Sequence, residues 1–397
     1  MAPILSLPPT HPSSPTGGIL SPQHALWSLG LRPFYLGAAI FSAIVMLLWI
    51  AAYVGNLHSH LDHPYWHAHE MIFGYAFAVV VGFLFAAVRN WTGYPTPRRG
   101  ALMAIFGLWL AARILLPFSP SLSLGADLAF AVAAALGIAR SLWQAKNYRN
   151  AFFVALLLGI GGANLLFHLG IAGRLGFPIG KSLHLALDLI LIIMAVMGGR
   201  VIPMFTARGL NRNNIGAPRW LMRLAITLLP LLALATALDA PPLLQATLAL
   251  LACLTHGACL LHWQPWQTRH TPLLWVLHAA YAWIPLHLGL RAAAALGQVP
   301  DSLAVHALTV GALGTLTLGM MTRTTRGHTG QPLRVGRLEV AIYGLIQAAA
   351  AVRVLLPGLI PATYTAAITL SGLLWTAAFV LFVAGYWAFL VKSDAYP

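Results

Sequence analysis

The chain has 397 residues, of which 59% are hydrophobic and only 8% charged, and its mean hydropathy is +0.79. A soluble globule carries about a quarter charged residues, so this composition excludes a soluble domain and points to an integral membrane protein. The formal net charge of +15 comes from Lys and Arg scattered through short connections, with no basic run of the kind that binds nucleic acid; the expected partner is the lipid bilayer.

In chain order, the first thirty residues are rich in Pro, Ser and Gly. They lack a basic start, a long apolar core and a cleavage-like end, so the sequence predicts a flexible N-terminal tail over 1–30 rather than a removable signal peptide. His11 and His24 within it are read as incidental. Residues 31–397 read as a single membrane domain with twelve apolar spans, placed near 34–55, 67–90, 100–117, 122–144, 151–172, 182–203, 219–238, 241–262, 272–294, 302–322, 337–357 and 364–391. Runs of this length cross a hydrocarbon core of about 30 Å. Helices satisfy every backbone polar group within the segment, and the period-two alternation of a membrane barrel is absent. The expected fold is an all-α, polytopic membrane helical bundle. Cys253 and Cys259 fall in one apolar span without a CxxC spacing, which supports neither a disulfide framework nor a thiolate metal site.

With the N-terminus inside, 18 of the 23 Lys and Arg residues fall at inner helix ends and loops, leaving Arg113, Arg174, Lys181, Arg291 and Arg353 outside. That bias predicts two cytoplasmic termini. The stretch "HSHLDHPYWHAHE" at 58–70 then faces outward, toward the periplasm of a bacterial inner membrane.

Three stretches recur with one spacing: "GFLFAAVRNWTG", "GGRVIPMFTARG" and "GMMTRTTRGHTG". Gly82 and Gly93, Gly198 and Gly209, and Gly319 and Gly330 are each eleven apart. His69, His184 and His306 precede the first glycine of each pair by thirteen, fourteen and thirteen residues. A fixed period of this kind predicts three four-helix repeats, near 31–146, 147–267 and 268–391.

The repeat and the orientation place six histidines at one depth near the outer face. His67, His69, His184 and His306 open outside-to-inside helices, whereas His168 and His287 close the helices just before them. Short connections make such neighbours antiparallel, so His168 is expected beside His184 and His287 beside His306. Imidazole is the commonest metal ligand and suits Zn, Cu and Fe, including haem iron. The core metal ligands predicted are His67, His69, His184 and His306, with His168 and His287 completing the layer. On a helix His67 and His69 diverge by about 200°, so they would serve two adjacent centres rather than one. Glu70 shares a face with His67, and Asp188 with His184; each carboxylate is positioned to fix its imidazole's orientation. His58, His60 and His63 precede Pro64 and read as solvated loop residues. No phosphate loop, Ser/His/Asp arrangement or HExxH motif occurs.

Four stretches carry a resemblance: "LRPFYLGAAIFSAI" at 31–44, "HAHEMIFGYAFAVVVGFLFAAVRNWTG" at 67–93, "GGRVIPMFTARG" at 198–209 and "MMTRTTRGHTG" at 320–330. Together they are similar to the NnrS family over nearly the whole chain after residue 30. The resemblance implies a bacterial inner-membrane protein containing haem and copper, with nitric oxide as its small-molecule ligand, acting in nitric oxide metabolism or protection against nitrosative stress. His67 and His69 match the family's HAHE motif directly, while the other four histidines rest on depth and repeat. Family members usually carry FRPF where this chain has Leu31-Arg32-Pro33-Phe34. Conversion of nitric oxide would need an electron donor, which no residue pattern names. The competing reading is a multi-pass transporter of a metal ion, haem or small anion, which intramembrane histidines and repeats also suit.

Overall fold

The computed structural model describes residues 18–55, 64–212 and 215–392. Among them are twelve long helices and no strand: α1 (Leu31–Tyr53), α2 (Pro64–Thr92), α3 (Gly100–Leu115), α4 (Pro120–Gln144), α5 (Phe152–Ile171), α6 (Ile179–Gly209), α7 (Arg219–Ala237), α8 (Pro242–His262), α9 (Pro272–Ala295), α10 (Asp301–His328), α11 (Arg337–Leu359) and α12 (Tyr364–Val391). Eleven are long and apolar enough to cross a membrane; α3, with 16 residues, is the shorter one. The expected all-α polytopic bundle is what forms. Its helix ends mostly fall where Pro, Gly and polar residues interrupt the apolar runs.

Burial separates the helices into a centre and a surround. The apolar windows of α2, α6 and α10 are 83%, 67% and 83% buried, above every other span. These are the three helices that carry the repeated glycine pair. Around them α4 packs on α5, α8 on α9 and α12 on α1, three of the seams of the bundle. The last seam is fastened at one end of the bundle, where buried Arg32 donates to the carbonyl oxygens of Leu390 and Lys392. Both ends of the membrane domain therefore lie at the same end of the bundle, and the α2, α6 and α10 histidines lie at the opposite one.

The glycine spacing has a packing cause. A Cβ at Gly82 would meet Phe34 Cβ of α1 at 2.7 Å, one at Gly198 would meet the Tyr281 ring of α9 at 3.0 Å, and one at Gly319 would meet Leu277 of α9 at 3.1 Å. Each first glycine thus admits a side chain from a neighbouring helix. The second glycines of α2 and α10 lie beyond the helix ends at φ +72 and +70, the left-handed region that terminates helices. In α6 the helix runs through Gly209, and Asn211 takes the positive φ instead.

Two departures from regular α-helix occur, both in the central helices. Glu70–Ala76 in α2 and Ala307–Gly314 in α10 form π turns that start immediately after His69 and His306. Turns of this kind are rare and concentrate at functional sites. In α6 the corresponding stretch stays α-helical.

The tail expected through residue 30 is shorter among the described residues. Ala25–Trp27 form a buried 3-10 turn, capped by the His24 ring accepting from Leu26 N–H at 3.2 Å. The Trp27 ring packs edge-on against Phe106 of α3, and its carbonyl accepts from Arg99 N–H. The apolar Ala-Leu-Trp triplet has a core to enter, and His24 caps the turn rather than being incidental. His58, His60 and His63 lie outside the described residues.

Gly82→Val should lower the unfolding midpoint in detergent, by the equivalent of about 1–3 kcal/mol of overpacking. Gly162, also helical, has nothing within 4 Å of a built Cβ, so Gly162→Ala should leave that midpoint unchanged or raise it slightly. Equal effects of the two substitutions would contradict the close approach described for Gly82.

Candidate metal centre

The histidine end of the bundle holds most of the chain's buried charge. His69 is 1% exposed and faces two oxygens, with Nδ1 2.7 Å from Glu70 Oε1 and Nε2 2.9 Å from Asn164 Oδ1 on α5. Arg113 of α3 donates to both Glu70 oxygens, at 3.2 and 3.3 Å, and also to Asp127 Oδ2 of α4. Asn164 Nδ2 donates to the same Asp127 oxygen at 2.9 Å. His168, one helical turn beyond Asn164, stands with its ring centroid 5.2 Å from that of His69. Four helices thus converge on one polar cluster, in which ligand atoms of His69, Asp127 and His168 lie within 4.8 Å of one another.

Local sequence explains how so much polarity fits there. The π turn beginning at Glu70 loosens the backbone, and the Gly74 carbonyl accepts from Trp109 Nε1 of α3 at 2.8 Å. A Cβ at Gly74 would sit 2.9 Å from Arg113 Nη1 and 2.4 Å from Phe41. Only glycine lets the guanidinium approach Glu70. Ser123 of α4 donates to the Ala112 carbonyl, which ties α3 to α4 beside the Arg113–Asp127 pair.

His67 points the other way, as a two-residue offset on a helix requires. Its ring stacks on Trp49 of α1, with centroids 4.8 Å apart and planes 16° from parallel. His306 lies within electrostatic reach, and Arg353 of α11 acts on both. The His306 Nδ1 is fixed 2.6 Å from the Ser302 carbonyl, which leaves Nε2 to face outward from its own helix. His287 repeats this arrangement: Nδ1 is 2.8 Å from the Ala304 carbonyl, and Nε2 is buried without a partner. His67 Nδ1, His168 Nε2 and Arg353 Nη1 are likewise buried and unpartnered.

Among the six predicted histidines, a ring contact joins His69 to His168. His287 bonds the backbone of α10 two residues before His306. No contact joins His168 to His184 among the described residues. His184 has both ring nitrogens engaged, Nδ1 with the Gly180 carbonyl at 2.9 Å and Nε2 with Asp301 at 3.0 Å. The carboxylates also differ from expectation. Glu70 serves His69 rather than His67, because it turns toward Arg113 on α3. Asp188 serves not His184 but Arg291, which chelates both of its oxygens. In each case a buried arginine engages the carboxylate, Arg113 sharing Glu70 with His69 and Arg291 holding Asp188, since a full guanidinium charge binds a carboxylate strongly in a low dielectric.

Asp127, Asn164 and Arg113 were absent from the sequence-derived site. Their signal was present: each is a strongly polar residue inside an apolar span, which marks a functional candidate with a partner to be named. A second polar group, outside the predicted site, lies toward the other end. His256 Nδ1 is 2.7 Å from the Tyr281 hydroxyl and His278 Nε2 is 2.8 Å from Thr206 Oγ1. The buried Trp263 ring packs edge-on against Tyr281 between them.

Arg200 of α6 and Arg323 of α10 lie at the end remote from His69. Each guanidinium approaches an aromatic ring of the preceding central helix: Arg200 sits 5.9 Å from the Trp91 ring and Arg323 sits 3.9 Å from Phe205.

A family model described as NnrS protein matches residues 25–393. The chain belongs to the NnrS family. No curated protein matches it. The matched region takes in every helix that contributes to the NnrS-family chain's polar cluster, from Glu70 to Arg353.

Arg113→Met would leave Glu70 and Asp127 buried without their shared cation, a loss of about 3–5 kcal/mol. Unfolding in detergent should show a large drop in midpoint, partly recovered when Asp127→Asn and Glu70→Gln are added. A midpoint unchanged by Arg113→Met would contradict the pairing.

Proposed function

We propose that this protein is a haem- and copper-containing NnrS-family membrane protein of the bacterial inner membrane, which handles nitric oxide at metal centres on the periplasmic side of the bundle. The observation that carries the reading is the set of buried, partnerless nitrogens on opposite sides of α2: His168 Nε2 on one, His67 Nδ1 and Arg353 Nη1 on the other. An unpaired polar atom in an apolar interior costs free energy, and a ligand that takes its bond removes that cost.

The two sides fit two different groups. His69, His168 and Asp127 offer two imidazoles and one carboxylate, a donor set that suits copper, iron or zinc; the family resemblance supplies copper as the expected ion. Glu70 holds His69 Nδ1, the kind of outer partner that orients a metal ligand, and His69 Nε2 would exchange its bond to Asn164 for the ion. On the other side, His67 and His306 are the imidazoles offered to haem iron. Arg353, with one guanidinium nitrogen unpaired, supplies the cation that a propionate would meet. His287 stands next in line, its tautomer fixed by the Ala304 carbonyl. His184 takes a supporting part, holding Asp301 at the start of α10.

When bound, such groups supply an open coordination position and one-electron chemistry. The protein's own residues exclude water, fix imidazole orientation and balance charge around the centre. Nitric oxide is small and weakly polar, so it enters from the bilayer without a polar path.

An optical spectrum with metal analysis of the purified protein, with and without nitric oxide, tests the reading. The expected result is a Soret band shifted by nitric oxide and stoichiometric copper. His67→Ala or His306→Ala should remove haem, His69→Ala or His168→Ala should remove copper, and His58→Ala should remove neither. A protein without a Soret band or copper that instead drives metal-dependent uptake into vesicles would replace this reading with the transporter.

A further inference from the structure

Below the histidines, on the axis of the bundle, α2, α6 and α10 do not close completely on one another. They leave a cavity of about 60 Å³ lined by Val79 and Phe83 of α2, Met194 and Met197 of α6, and Leu313 and Met320 of α10. Val79 is ten residues beyond His69 on α2, which puts the cavity inward of the metal cluster along that helix. It exceeds the roughly 10–15 Å³ of such space that one water needs. Space alone would therefore admit water.

Chemistry excludes it. The lining carries two side-chain hydroxyls, and both are engaged elsewhere. Tyr35 OH accepts from Thr324 Oγ1 at 3.2 Å, and Thr317 Oγ1 pairs with Tyr75 OH and the Gly314 carbonyl. A buried water needs two to four polar partners, and apolar cavities lacking them stay dry and take up apolar guests such as xenon. The lining instead offers thioethers, whose polarisable sulfurs strengthen dispersion contact with a small guest. The space suits a small guest of a few heavy atoms.

We infer that this three-helix cavity is a binding site for a small apolar gas. That the gas is nitric oxide held in reserve for the metal centre rests on the function proposed above; the existence of the gas site does not. The cavity belongs to the same three helices that present His69, His184 and His306, so a gas molecule that leaves it along the axis travels toward the histidine end.

Xenon-pressurised crystals of the full chain test the site directly. The expected result is one anomalous xenon peak among Val79, Met194 and Leu313, with higher occupancy in Met194→Ala, which enlarges the cavity, and no peak in Val79→Phe, which fills it. Ordered water in the cavity, or xenon bound only elsewhere in a well-ordered crystal, would overturn the inference. If Val79→Phe does not fold, loss of the peak in Leu316→Phe serves the same purpose. The reserve role is read separately, by flash photolysis of nitric oxide from the purified protein. Fast rebinding from within the protein should fall several-fold in a filled-cavity variant with an unchanged Soret band. Unchanged rebinding would overturn the reserve role, and a protein without a Soret band would sink the proposed function while leaving the xenon result to decide the site.

Discussion

Arg113 is the residue on which the histidine end depends. Its guanidinium lies between Glu70 and Asp127, and through those carboxylates it fixes His69 and Asn164. Inside a hydrocarbon slab no water is available to solvate any of these groups, so each must find its partner in protein. The cation comes from α3, the carboxylates from α2 and α4, and the amide from α5. Four helices are locked together by one network, and His168 is delivered to its edge with a nitrogen to spare.

The same rule organises the remaining acids. All six described acidic residues are paired: Glu70 and Asp127 with Arg113, Asp188 with Arg291, Asp239 with Lys181, Asp301 with His184, and Glu339 with Arg326. Five of the six lie at the histidine end. Arg113, Lys181 and Arg291, which stand on the side that the positive-inside rule leaves poor in basic residues, are three of their partners. These cations answer to carboxylates rather than to topology. Arg113 and Arg291, two of the positive-inside exceptions, are thus buried groups held by carboxylates.

Glycine and the π turn give the packing its latitude. Gly74 admits Arg113 to Glu70, and Gly82, Gly198 and Gly319 admit side chains from neighbouring helices at 2.7 to 3.1 Å from a built Cβ. The π turns after His69 and His306 shift the directions of all residues beyond them. Ideal α-helical geometry carried inward from His69 would therefore misplace the cavity wall that begins at Val79.

Sequence by itself determined that the chain is a membrane bundle of helices and where most of those helices lie, and it marked α2, α6 and α10 by a shared glycine spacing, because apolar length and glycine spacing are properties of one chain read along its axis. It also determined that His67 and His69 diverge, since two residues on a helix fix that angle. Only the tertiary structure decided the partners. It gave Glu70 to His69 and Asp188 to Arg291, brought Asp127 and Asn164 to His168, and separated His184 from the imidazoles expected beside it. Those choices turn on which helices are neighbours and on where each buried arginine meets a carboxylate, and neither can be counted along a single helix.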